Sequence, residues 1–102
     1  MITLSVDPGL HGCIAVWDNL TVVDIQNIPY KNYKTIGSIP NFKQIKRWFD
    51  SIKPDLVVIE KIGASPSDGI ASASRFTRDF GIIIGCCCDV TKVEFVSPAY
   101  IS

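Results

Sequence analysis

Histidine is almost missing from this sequence: of 102 residues only His11 is one, and Met1 is the sole methionine. There are four cysteines, and three of them, Cys86, Cys87 and Cys88, are consecutive. A structural zinc site needs ligand pairs at spaced intervals, and neither a second Cys pair nor a His pair follows. The cysteines therefore read as small hydrophobes of a reducing compartment. Net charge is absent too. Ten Lys+Arg balance ten Asp+Glu, which excludes a wholesale basic coat for nucleic acid. No apolar run approaches the roughly 18 residues that span a bilayer; the longest is Gly81–Cys88. The amino terminus, Met-Ile-Thr-Leu-Ser-Val-Asp, carries no basic stretch followed by an apolar one. No secretory signal and a cytoplasmic location are the expectation.

What is present is a substantial apolar fraction. Hydrophobic residues make up 47% and the mean hydropathy is +0.26, enough for a core and too apolar for a disordered chain. The length fits one domain. Ile2, Leu4 and Val6 alternate with Thr3, Ser5 and Asp7, the period of a strand. Pro8-Gly9 ends it. Gly12–Trp17 and Leu20–Gln26 predict two further strands around an Asp18-Asn19 turn, giving an antiparallel meander. Residues 27–40, with two prolines and short polar stretches, predict a loop. Asn41 is a good N-cap with Gln44 in the capping-box position. Phe42, Ile45, Trp48/Phe49 and Ile52 recur at helical spacing, and Pro54 stops that helix.

Asp55–Glu60 holds the run Leu-Val-Val-Ile, which suits a central strand covered on both faces. Lys61–Asp68 reads as a loop. A helix over Gly69–Cys88 follows, with Ile70, Ala73, Phe76/Thr77, Phe80, Ile84 and Cys87 as its inward positions. Gly81 and Gly85 lie four apart on one face, open to close approach by a neighbour. Lys92–Val96 is a last strand. The order β-β-β-α-β-α-β predicts an α/β, RNase H-like domain with a mixed five-stranded sheet. The crossover rule sets the Asp55–Glu60 strand parallel to the first.

Asp7 and Glu60 then end two parallel strands at one carboxyl edge, where open α/β sheets bind ligands. Two carboxylates there suit a hard cation such as Mg²⁺. The competing reading of Asp7 is a plain Asp-Pro-Gly turn. For Glu60 it is a partnered carboxylate at a sheet end. Gly9 and Gly12 serve either a tight hairpin loop or the close approach of a phosphodiester backbone. Charge is uneven: Lys31, Lys34, Lys43, Lys46, Arg47 and Lys53 face only Asp50 between residues 31 and 53, six bases against one acid, a local +5. That is either a solvated helix face or a phosphate-contacting surface. Lys61, Arg75 and Arg78 form a second basic group after Glu60, with the same two readings.

Asp7-Pro8-Gly9 with Gly12, Val58-Ile59-Glu60-Lys61, and the stretch from Pro66 and Gly69 through Phe76 to Phe80-Gly81 and Gly85 together resemble the RuvC-type Holliday junction resolvases. The likeness leans toward their bacteriophage and prophage branch. Val93-Glu94-Phe95-Val96-Ser97-Pro98 is similar to the strand before that family's last helix. The resemblance implies a homodimer that hydrolyses phosphodiester bonds in four-way DNA junctions with Mg²⁺, or Mn²⁺ in its stead. Two of the family's four acidic ligands map to Asp7 and Glu60. The other two belong to a helix that would begin after Pro98, so the sequence reads as a C-terminally truncated nuclease domain or half of a split one. Ile62-Gly63 stand where some members carry an aromatic. Asp68, Asp89 and Glu94 are replacement ligands by count only. Two rival readings are a junction-binding module without cleavage and a phosphotransferase of the actin and sugar-kinase superfamily. The latter shares the Asp-x-Gly hairpin but needs a second domain.

Overall fold

The computed structural model describes residues 1–8, 11–60, 69–90 and 92–96, and the side chains of all of these except 69–73. Strand β1 (Ile2–Asp7) pairs antiparallel with β2 (Cys13–Asp18), and β2 with β3 (Thr21–Asn27). The β2–β3 connection is Asn19-Leu20, one residue later than the sequence predicts. Asn19 takes the left-handed backbone, φ 54°, which asparagine tolerates better than most residues. Helix α1 (Phe42–Ile52) returns the chain to β6 (Leu56–Glu60), which lies parallel to β1. Helix α2 (Gly69–Cys86) leads to β7 (Val93–Val96), parallel to β6. The sheet order is β3-β2-β1-β6-β7. The expected mixed five-stranded sheet is present.

The expected loop is not what forms between β3 and α1. Residues 27–40 are no plain loop: β4 (Tyr30–Tyr33) and β5 (Gly37–Pro40) form a separate antiparallel hairpin. It has no alternating apolar face to announce it. Its hold on the protein is polar and distant in sequence. Asp79, buried in mid-α2, accepts hydrogen bonds from the Tyr30 hydroxyl at 3.0 Å and from Arg78 Nε at 3.0 Å. Arg78 also donates to the Ser38 carbonyl at 2.9 Å.

Helix α1 matches its sequence signals. The Asn41 side chain accepts from the Gln44 backbone N–H at 3.2 Å, and Lys53 closes the helix in the left-handed region, φ 53°. In α2 the inward stripe is Phe76, Asp79, Phe80, Ile83 and Cys86, continued by Cys87 in the turn that follows. Ile84 faces out, against expectation, and Ile83 fills the core instead. A methyl group added at Gly81 would meet nothing within 4 Å, and one at Gly85 only the Phe42 ring at 3.7 Å. Neither glycine receives the close approach expected of it among the described residues.

The core lies on one side of the sheet. Leu4, Val6, Ile14, Val16, Val57 and Ile59 are buried there with Ile45 and Phe49 of α1, Ile83 and Cys86 of α2, and Cys87 just beyond it. Strand residues alternate faces. Ser5, Asp7, Cys13, Ala15, Trp17, Val58 and Glu60 therefore point the other way, and no described element covers that face. The Trp17 indole is pinned on it by a 2.9 Å hydrogen bond to Ser5 Oγ.

Candidate active site

Strand register brings the two carboxylates together. Val6 stands opposite Ile59 in the parallel β1–β6 pair. Both are buried under the helices. Asp7 and Glu60 come one residue later on neighbouring strands, so both emerge at the carboxyl edge on the open face. They share a cleft of about 370 Å³ with Ser5, Cys13, Ala15 and Val58. Glu60 holds its proton more tightly than an ordinary carboxyl. Burial is the main cause, followed by the negative charge of Asp7 and a hydrogen bond between the two side chains.

The negative potential that tightens the hold of Glu60 on its proton also favours any other small cation beside it. Oxygen donors of this kind match a hard divalent ion in type. They do not match it in number, since no set of three or more His, Cys, Asp or Glu that could hold a metal occurs among the described residues.

Gly12 has a specific reason to lack a side chain. A Cβ there would sit 1.9 Å from the Asp7 carbonyl oxygen and 2.9 Å from its carbon, far inside contact distance. The backbone approaching Gly12 is that of Asp7 itself. The Gly12 carbonyl in turn accepts from the Ile28 N–H at 3.2 Å, which ties the end of β3 to the same corner.

The other predicted positions divide. Gly9 and Lys61 lie outside the described residues, as does Asp68. Lys43 and Arg47 are exposed on α1, four residues apart. Lys46 is occupied, with its ammonium 2.6 Å from Asp50 and 2.7 Å from Asp89. Arg75 is exposed on α2, whereas the Arg78 guanidinium braces the β4–β5 hairpin. Asp89 sits at the far edge, near where β6 begins, in a groove with Lys53, Pro54 and Asp55. Glu94 pairs in register with Val58, short of the edge, and engages Lys92 at 3.1 Å. Neither joins Asp7 and Glu60. Sequence reasoning missed Cys13, which lies opposite Asp7 in the β1–β2 pair. It also missed the Tyr30–Asp79 pair, whose one sequence signal is an acid at a helical position otherwise apolar.

The sheet order, the parallel β1–β6 pair and the two helices on one face define an RNase H-like fold. The chain is similar to Thermus thermophilus RuvC in complex with a Holliday junction substrate, at a TM-score of 0.73 and 11% identity over 99% of this chain and 67% of that one. A second T. thermophilus RuvC structure gives a TM-score of 0.59 at 10% identity, over 96% of this chain and 64% of that one. The fowlpox virus Holliday junction resolvase gives 0.56 at 24% identity, over 95% and 61%. This chain thus spans 61–67% of the length of these structures. No protein-family model and no curated protein sequence matches it. No described helix is long and apolar enough to cross a membrane.

Proposed function

We propose that this chain is the core of a metal-dependent endonuclease that resolves four-way DNA junctions, with Asp7 and Glu60 as its metal-holding carboxylates. The observation that carries the reading is their convergence at the carboxyl edge of adjacent parallel strands, in a fold shared with RuvC. Asp7 and Glu60 would hold Mg²⁺ or Mn²⁺. When bound, such an ion activates a water and stabilises the leaving oxygen of an in-line phosphoryl displacement. The two carboxylates would orient it. Solvent, DNA phosphate and acids outside the described residues, on this chain or a partner, would fill the remaining positions. Gly12 keeps the Asp7 peptide where this geometry needs it. A homodimer is part of the proposal, supported by the outer side of α2, where Gly81, Ile84 and Gly85 are exposed among the described residues. Such an enzyme works where DNA is, in the cytoplasm of a cell or of a virus's host.

The test pairs cleavage with binding on four-way junction DNA, with Mg²⁺ and with Mn²⁺. Asp7→Asn should lower cleavage by about 100-fold or more, as loss of a charge-stabilising group does, and leave junction binding intact. Junction cleavage unaffected by both Asp7→Asn and Glu60→Gln would place the chemistry elsewhere. Binding without cleavage at any metal concentration would favour the binding-module reading, which the small ligand count among the described residues supports. Nucleotide binding without DNA binding would favour the phosphotransferase.

A further inference from the structure

We propose that the β4–β5 hairpin is a preset grip for a DNA strand, with Lys31 and Lys34 as its phosphate contacts. The inference rests on the nuclease reading and adds a contact element to it. The hairpin is rooted at the carboxylate edge. Asn27 ends β3 opposite Cys13, which is opposite Asp7. The Ile28 N–H then donates to the Gly12 carbonyl, and the Asn41 N–H closes the base on the Pro29 carbonyl at 2.8 Å.

Orientation is fixed by alternation. Tyr30 turns inward to Asp79, so Lys31 and Tyr33 share the outer face. The Lys31 ammonium lies 5.2 Å from the centre of the exposed Tyr33 ring. Lys34 follows in the turn. No acid occurs anywhere from residue 25 to residue 49, and neither lysine forms a salt bridge among the described residues. Lys46 and Arg78, by contrast, are consumed by partners within the protein.

The brace is costly to build. An isolated two-stranded hairpin is marginal in water, and this one leaves Ile36 exposed at its tip. Its position depends on Asp79, a carboxylate taken out of water, which is stable there only because Tyr30 and Arg78 complete its hydrogen bonds. A short solvent-exposed loop would join β3 to α1 without that expense. A braced, cationic, acid-free hairpin beside an edge of metal-type carboxylates fits a polyanion laid across that edge, and the phosphates of a DNA strand match it.

The experiment measures binding of labelled four-way junction DNA in metal-free buffer over a series of KCl concentrations. The wild type, Lys31→Ala/Lys34→Ala and Lys92→Ala are compared, the last removing an exposed lysine already paired to Glu94. Each lost phosphate contact should lower the log–log salt slope by about 0.9, so the double variant loses about 2 and binds about tenfold more weakly at moderate salt. Lys92→Ala should keep the wild-type slope. A salt-dependent wild type with an unchanged slope in the double variant would overturn the grip and leave the nuclease reading standing. A wild type that binds no junction DNA at any salt would overturn both.

Discussion

At the scale of single residues, Gly12 and Asp79 carry requirements that their identities alone do not reveal. Gly12→Ala must move the Asp7 carbonyl, and overpacking of this kind costs about 1–3 kcal/mol. Thermal melting should show the loss, and Mg²⁺ protection against melting should weaken further because the Asp7 carboxylate moves with its backbone. Tyr30→Phe removes a donor from a buried carboxylate and should cost about 1.5–3 kcal/mol in urea denaturation. Glu60 allows a pH test. Its folded-state proton affinity is raised, so its ionised form weakens the fold. The penalty is absent well below the ordinary value of 4.5 and grows as pH rises through the folded-state value. In metal-free buffer Glu60→Gln should therefore raise the melting temperature at neutral pH and bring no gain in acid. A lower melting temperature at neutral pH would contradict the repulsion from Asp7. The cysteines divide in the same local terms. Burial pushes the Cys86 thiol up to about 12 and Cys87 up to about 11, while Cys88 is exposed. In native protein a thiol reagent should modify Cys88 well before Cys86 and Cys87.

At the scale of elements, legibility followed the locality of the forces. Helix α1 was readable because its cap, its apolar stripe and Pro54 all lie within the segment itself. Lys53 sits in a backbone region that favours glycine, so Lys53→Gly should stabilise the protein by about 0.5–1 kcal/mol, read as a higher urea midpoint with unchanged cooperativity. The β1 and β2 strands were readable from alternation and β6 from its continuous apolar run, although that run suggested cover on both faces and only the Val57 and Ile59 side is buried by described elements. Helix α2 was placed correctly but turned by one residue at Ile83/Ile84, because three consecutive isoleucines fit either rotation. Only packing against the sheet chooses between them. The β4–β5 hairpin was not legible at all. The partners that hold it, Asp79 and Arg78, lie 49 and 40 residues away along the chain from the groups they bind.

At the scale of the whole molecule, the sheet face that no described element covers sets what the protein can do. Its cleft exposes both carboxylates, and the indole of Trp17 lies on the same face. Anything that packs there should perturb Trp17 fluorescence, and the same signal should respond when junction DNA and Mg²⁺ are added together. Sequence by itself determined the α/β class, the meander, the crossover through α1, and the pairing of Asp7 with Glu60 at one edge. These follow from short-range periodicity and from the handedness of crossovers, both written locally in the chain. Tertiary structure alone decided how the basic residues are used. Lys31 through Lys53 look equivalent in sequence, but Lys46 is neutralised by Asp50 and Asp89, and Lys31 and Lys34 are held out on a braced hairpin. It also decided that Gly12 serves the backbone of Asp7. The reason is physical: a side chain's electrostatic surroundings and steric clearance depend on atoms that are close in space and distant in sequence, and only the folded chain brings them together.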